Sequence, residues 1–298
     1  MSSADGWLQL GLRVDADRVD EAEQALLELG AHSVTLLDAG DHPVHEPGPG
    51  ETLLWPDIVV QGLFDGTADP TALSAALTRQ GVVDNPTALS VERLGDRDWT
   101  RAWMDRYQPL RFGQSVWICP SHIEPEPDWP IVIRLDPGLA FGSGTHPTTA
   151  LCLEWIDRHL GRHRQVIDFG CGSGILAIAC ALTGAERVIA VDHDPQALTA
   201  TNDNARRNQV DDRVECWLPD RFKAEPADLV LANILAGPLI ELAPLLTACV
   251  KPGGHLVLSG ILPEQALAVA AAYRELLGPE NLSQREDWIR LDFQRPGE

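Results

Sequence analysis

Positive charge is what this chain has least of. Across 298 residues, 23 Lys and Arg face 44 Asp and Glu, a formal net charge of -21. Nucleic acid is repelled at long range by such a balance, and no basic strip offsets it. No stretch approaches the roughly 18 apolar residues of a membrane span. The opening MSSADGWLQLGLRVDADR carries neither a basic n-region nor an apolar h-region. A soluble protein that is not exported and works in the cytoplasm is therefore expected, with no nucleic-acid or membrane partner. The cysteines, Cys119, Cys152, Cys171, Cys180, Cys216 and Cys249, never reach a C-x-x-C spacing. Scattered among apolar neighbours, they are expected as reduced thiols, and no metal site is expected.

What is present is an ordinary globular composition, 44% hydrophobic. The chain is longer than the usual single domain of roughly 100 to 200 residues, so two domains are expected. Its acidity is unevenly spread: residues 1–95 hold 16 acidic and four basic residues, the latter being Arg13, Arg18, Arg79 and Arg93. Such a surface draws a basic partner. A merely solubilising surface has the same composition, and charge alone leaves both readings open.

That first stretch alternates in a definite order. WLQLGLRV (7–14) alternates apolar and polar residues as a strand does. DRVDEAEQALLELG (17–30) places Val19, Ala22, Ala25, Leu26 and Leu29 on one helical face and closes on Gly30. HSVTLLDA (32–39) and DIVVQGLF (57–64) read as strands around the Pro/Gly-rich loop DHPVHEPGPGE. DPTALSAALTRQG (69–81) reads as a helix with an Asp-Pro start and a Gly stop, and TALSVERL (87–94) as a strand. The order βαββαβ is that of the split, ferredoxin-like α+β unit, which by itself names no function. DRDWTRAWMDRYQ (96–108) reads as a linking helix whose Trp99, Trp103 and Tyr107 form a packing stripe.

From Pro109 onward strands and helices alternate. In order they are WICP, IVIRLD, a helix after His146, QVIDF, a helix after Ser173, RVIAVD, a helix after Asp194, RVECW and DLVLANI; then a helix over 236–250, GHLVLSG, a helix over 263–277 and a final WIRLDF. This argues for a doubly wound, Rossmann-like α/β sheet. In such a sheet a ligand lies at the carboxyl ends of the strands, beside the first strand-to-helix turn. VIDFGCGSGILAIA (166–179) supplies that turn, with Gly170, Gly172 and Gly174 at alternate positions directly after an apolar run. A dinucleotide fingerprint needs glycine where Ile175 stands, and no G-K-[ST] follows, so neither a dehydrogenase nor a Walker loop fits. What remains is a turn whose backbone comes close to something bulky without cradling a phosphate.

Asp168, the three glycines and Asp192, 18 residues past Gly174 at the end of RVIAVD, resemble the first motifs of class I S-adenosylmethionine-dependent methyltransferases. The resemblance implies S-adenosyl-L-methionine as cofactor, with the Asp192 carboxylate accepting both ribose hydroxyls. Capping the next helix is the alternative duty for that residue. LANILAGPL (231–239) ends a strand with Asn233, where amine-methylating members of the class carry Asn before apolar or Pro residues. A carboxamide oxygen and a neighbouring backbone carbonyl can accept the hydrogens of an amine and aim its lone pair at a methyl carbon. Asn at a strand end is otherwise a common turn former. LDPGLAFGSGTHPTTALCLEW (135–155) gives a glycine-flanked loop and a Pro-started helix suited to closing over a cofactor.

Together with DWTRAWMDRY and WICPS, these segments are similar in sequence and order to the ribosomal protein L11 methyltransferases (the protein methyltransferase A family), over essentially the whole chain. The resemblance implies a ferredoxin-like substrate-recognition domain at 1–95, a linker helix at 96–108 and a class I methyltransferase domain at 109–298. It implies methylation of lysine ε-amines and of the terminal α-amine of a basic ribosomal protein. Position by position it places Thr145, Gly170, Gly172, Gly174, Asp192 and Asn233 at the cofactor, with Asn233 also the catalytic residue. Ser143 departs from the Thr common at that place in the family, which leaves Thr145 unaffected. His146, beside Pro147, is expected to cap or shape the loop rather than act as a base. Asp220, after RVECW, is a candidate to meet the adenine amine. The protein is expected to act as a monomer. Two other functions compete on the same fold: methylation of a small molecule or RNA, and binding without turnover. The charge of -21 disfavours RNA, and a binding module would show eroded glycines or a lost Asn.

Overall fold

The computed structural model of the protein describes residues 6–39, 57–83, 89–95, 107–136, 144–278 and 280–297. Contacts divide the chain into two units, Met1–Trp103 and Met104–Glu298. Of the segment read as a linking helix, 96–108, all but Tyr107 and Gln108 lies outside the described residues. So do the Pro/Gly-rich loop at 41–51 and residues 137–143 with Ser143.

The first unit runs β1 (Gly6–Asp15), α1 (Val19–Glu28), β2 (Ser33–Asp38), β3 (Asp57–Asp65), α2 (Pro70–Arg79) and β4 (Leu89–Gly95). Its sheet is ordered β2-β3-β1-β4, and every neighbouring pair is antiparallel. The packing joins two periodicities. Leu8, Leu10, Leu12 and Val14, at every second position of β1, meet Val19, Ala22 and Leu26 of α1 and Leu73 and Leu77 of α2. The helix read from residue 17 begins as a 3-10 turn at Ala16–Arg18, and α1 proper starts at Val19. Asp69 starts α2 as read, its carboxylate accepting the Thr71 N–H at 2.9 Å ahead of Pro70.

The second unit begins with β5 (Leu110–Phe112), β6 (Val116–Cys119) and β7 (Ile131–Arg134). These form a small sheet of their own, β5-β6-β7. The reading of WICP and IVIRLD as strands of the main sheet is thus corrected. The cause lies between them: Pro120, Pro125, Pro127 and Pro130 deny the connection a crossover helix, and it runs as turns.

The main sheet is built by α3 (Pro147–Arg158), β8 (Gln165–Phe169), α4 (Ile175–Leu182), β9 (Arg187–Val191), α5 (Pro195–Arg207), β10 (Val214–Trp217), β11 (Ala227–Asn233), α6 (Ala236–Glu241), α7 (Ala243–Ala248), β12 (Val250–Ile261), α8 (Ala266–Leu277), β13 (Glu280–Arg285) and β14 (Trp288–Gln294). Its seven strands lie in the order β10-β9-β8-β11-β12-β14-β13. The first five are parallel, and β14 is antiparallel to both neighbours. One core packs Val166, Val188 and Leu231 against α3 and α4; the other packs Ile167, Val230 and Leu256 against α6, α7 and α8. Adjacent residues of one strand thus feed opposite cores, which is why these strands read as continuous apolar runs.

Two further readings are corrected. The helix expected over 236–250 is two short helices meeting at Leu242. Pro244 has no N–H to give Ile240 and its ring crowds that carbonyl, so the chain breaks there. The strand β13, ENLSQR, went unread because it lies at the sheet edge with only partly buried side chains and shows no apolar alternation.

Candidate active site

Three left-handed glycines shape the turn after β8: Gly170, Gly172 and Gly174 have φ of 81°, 55° and 79°. A side chain in that region is strained. At two of them it would also collide, since a Cβ on Gly170 would overlap the Ile234 side chain and one on Gly174 the Thr201 side chain. The turn folds over the end of β9, where the N–H groups of Gly170 and Cys171 donate to the Val191 carbonyl at 2.7 and 3.1 Å. From behind, α5 holds it: Thr201 Oγ1 donates to the Gly172 carbonyl at 3.0 Å and Asn204 Nδ2 to the Ser173 carbonyl at 2.9 Å. Asp168 sits beneath, 1% exposed. One carboxylate oxygen accepts the Ala177 N–H at 3.0 Å, and the other has no hydrogen-bond partner among the described residues. Burial pushes this carboxyl up to about 7, against the pull of the Ala177 N–H and with the nearby Asp192 charge adding to the rise.

Asp192 closes the turn from β9. Its Oδ2 accepts the Gly172 N–H at 2.9 Å and its Oδ1 the Asp194 N–H at 3.0 Å. The alternative duty of capping the next helix belongs instead to Asp194, whose side chain accepts the Gln196 N–H at 2.8 Å ahead of Pro195. Each Asp192 oxygen keeps a further lone pair for a ligand.

Sheet topology brings the second half of the site to the first. The chain leaves β8 outward through β9 and β10, then returns to β11 on the other side of β8. Such a reversal opens a crevice at the carboxyl ends of the strands. Phe169 pairs with Ala232 in register, so Gly170 and Asn233 leave neighbouring strands side by side. They open on a cavity of about 620 Å³ lined also by His146, Thr148, Ile234, Leu235, Pro238, Leu242 and Trp288. Asn233 Nδ2 donates to Thr149 Oγ1 at 3.4 Å. The cavity is mainly apolar, with few polar groups converging on it, the usual form of a small-molecule site.

The expected residues distribute unevenly. Gly170 and Asn233 line the cavity; Gly172 and Asp192 are joined by a hydrogen bond beside it; Gly174 starts α4. Thr145 is exposed next to the cap of α3 and does not line the cavity. His146 is that cap, its Nδ1 accepting the Thr148 N–H at 3.3 Å, and its ring stands edge-on to Trp288 at 4.9 Å. Burial lowers its pKa, while Glu286 raises it. Asp220 is exposed and is not part of the lining. Sequence reasoning missed Thr149, Trp288, Thr201 and Asn204. Only the last two left a signal, a polar pair at i, i+3 on one side of α5.

Comparison with known proteins gives the chain its relatives. The family model described as Ribosomal protein L11 methyltransferase (PrmA) matches residues 6–296. A ribosomal protein L11 methyltransferase of Serratia proteamaculans is 50% identical over 294 residues, 97% of this chain and 99% of that protein. One of Pseudomonas aeruginosa is 52% identical over 291 residues, 97% and 98% of the two. A crystal structure of ribosomal protein L11 methylase from Lactobacillus delbrueckii subsp. bulgaricus is 32% identical, with a TM-score of 0.56, and covers 64% of this chain and 100% of its own.

Proposed function

The chain belongs to the ribosomal protein L11 methyltransferase family, and from that premise we propose that it moves methyl groups from S-adenosylmethionine to the lysine ε-amines and the terminal α-amine of ribosomal protein L11. The observation that carries this is the pairing of the left-handed glycine turn with Asn233 across the crevice between β8 and β11, both opening on one cavity.

The residues present fit that cofactor. At Gly170 the left-handed backbone and the absent side chain let the turn pack against Ile234 while its backbone lines the cavity. Asp192 has lone pairs to spare for the two ribose hydroxyls, and the turn is braced from α5. We place Gly170, Gly172, Gly174, Asp192 and Asn233 at the cofactor; for Thr145, exposed and outside the cavity lining, the assignment rests on the family resemblance alone. When bound, S-adenosylmethionine supplies a methyl carbon already activated by a positively charged sulfur. The chain's own residues have a different task, to deliver a neutral amine with its lone pair in line. Lysine loses its proton at about 10.4 and a terminal amine at about 8, so at neutral pH the reactive form is a minority. The apolar walls, Ile234, Leu235, Pro238, Leu242 and Trp288, disfavour the ammonium form by desolvation. The Asn233 carboxamide oxygen and a neighbouring backbone carbonyl accept the amine hydrogens and fix its direction.

The first unit, read as a ferredoxin-like domain over 1–95, takes the role of substrate recognition. Asp17 in the 3-10 turn and Asp20 and Glu21 in the first turn of α1 stand exposed, and 16 acidic residues in this stretch suit a basic ribosomal protein. The methyltransferase domain read over 109–298, within the second unit, takes the role of catalysis. No helix among the described residues is long and apolar enough to cross a membrane, and the described cysteines are all free, which supports work in a reducing cytoplasm.

Mass spectrometry of purified ribosomal protein L11 after incubation with enzyme and S-adenosylmethionine tests the reading. Stepwise methyl increments on lysines and on the terminal amine are expected. An unmodified L11 alongside methylated RNA or a methylated small amine would overturn it.

A further inference from the structure

We infer that Thr149 is the positioning residue that holds the Asn233 carboxamide by its NH2 end, with its oxygen end left for the incoming amine. The inference rests on the reading of Asn233 given above. A carboxamide has two ends of nearly equal size and opposite chemistry, an oxygen that accepts and an NH2 that donates. An amine about to be methylated presents its hydrogens, so only the oxygen end receives it. The reversed amide would set N–H against N–H. A hydroxyl can serve either end, so the choice of end comes from the amine hydrogens, and the hydroxyl's task is to accept from the NH2 end and hold the group still.

Thr149 supplies that hydroxyl. Its hydroxyl lies in the first turn of α3, 1% exposed, and accepts from Asn233 Nδ2 at 3.4 Å. With the donor end held there, the oxygen end is left for the amine. The bond joins residues 84 apart in sequence, so Asn233 is not merely turning its own backbone. Catalytic hydrogen bonds are often long before substrate binds and tighten in the complex.

The post that Thr149 stands on is fixed independently of Asn233. His146 Nδ1 lies 2.7 Å from Thr148 Oγ1 and caps the helix through the Thr148 N–H. Ser259, fully buried on β12, donates its hydroxyl to the Thr148 carbonyl at 3.2 Å. Ser259 is also the register partner of Asn233 in the adjacent parallel strand. The first turn of α3 is therefore fastened to the same strand ends that carry the site. A hydroxyl held in this way orients a side chain better than water would, since its position is preorganised.

Single-turnover methylation of L11 at saturating cofactor, by Thr149→Val and Thr149→Ser, tests this. Valine keeps the shape and removes the acceptor; serine keeps the acceptor. Thr149→Val is expected to slow the methyl-transfer step about tenfold, one lost orienting hydrogen bond, with the dissociation constant for S-adenosylmethionine and the thermal midpoint near wild type. Thr149→Ser should stay within about threefold of wild type. In an Asn233→Ala background Thr149→Val should add nothing, because the group it orients is gone. Thr149→Val at the wild-type rate, or equally slow valine and serine variants, would overturn the inference while leaving Asn233 in place. A slow valine variant with equally weakened cofactor binding would make the role structural and overturn it too. An Asn233→Ala enzyme as fast as wild type would instead remove the reading on which the inference rests.

Discussion

Asp192 offers the sharpest perturbation of the cofactor half of the site. Its carboxylate is 8% exposed and already spends one lone pair on the Gly172 N–H at 2.9 Å and another on the Asp194 N–H at 3.0 Å. Two lone pairs remain for the ribose hydroxyls. Hydrogen bonds to a charged group contribute about 1.5–3 kcal/mol each, so Asp192→Ala removes up to about 3–6 kcal/mol of binding. The Gly172 N–H also loses its partner and the turn loosens, which adds to the loss. Even a third of the upper figure is more than the 1.4 kcal/mol of a tenfold change in affinity. A loss of at least about tenfold is expected, with Asp192→Asn in between because one of its two ends still accepts. Calorimetric titration with S-adenosylmethionine reads the dissociation constant, and circular dichroism establishes that the variant is folded. Unchanged affinity in a folded Asp192→Ala protein would refute the assignment of the ribose to this carboxylate.

Two other perturbations probe different parts of the molecule. Asp168 carries a folded-state pKa raised from 3.8 to about 7, so its stabilising contribution is present at low pH and lost as pH rises from about 4 to about 7; thermal midpoints of cofactor-free Asp168→Asn and wild type should therefore diverge in the variant's favour across that window, and a constant difference would contradict the burial argument. Deleting residues 1–95 should leave S-adenosylmethionine binding intact, since the glycine turn, Asp192 and Asn233 all lie in the second unit, and should abolish methylation of intact L11; full activity of the truncated enzyme on L11 would place recognition elsewhere.

Much of this was legible in the sequence because it rests on local rules. Gly170, Gly172 and Gly174 announce a backbone that only glycine tolerates, and each of them does adopt a left-handed φ. Asp-Pro at 69–70 and 194–195 and His-Pro at 146–147 announce helix starts, and α2, α5 and α3 begin there. The break at Leu242 was also written locally, in Pro244, and a long apolar pattern hid it. What stayed hidden is what the topology brings together. Thr149 meets Asn233 across 84 residues and His146 meets Trp288 only because β14 inserts beside β12. The unpartnered oxygen of Asp168 is invisible in an apolar run that shows the residue but not its surroundings. Separation of β5, β6 and β7 from the main sheet depends on what the Pro-rich connection cannot form, a fact of packing more than of pattern.

The claim at the centre is that Asn233 orients the amine as the methyl passes. Its most direct test is single-turnover methylation of L11 by Asn233→Ala at saturating cofactor and substrate, with the dissociation constant for S-adenosylmethionine measured on the same preparation. Loss of most of the alignment should lower the rate by about 10² or more with a smaller change in cofactor affinity. A rate within about threefold of wild type would mean that something other than Asn233 aims the nitrogen at the methyl carbon.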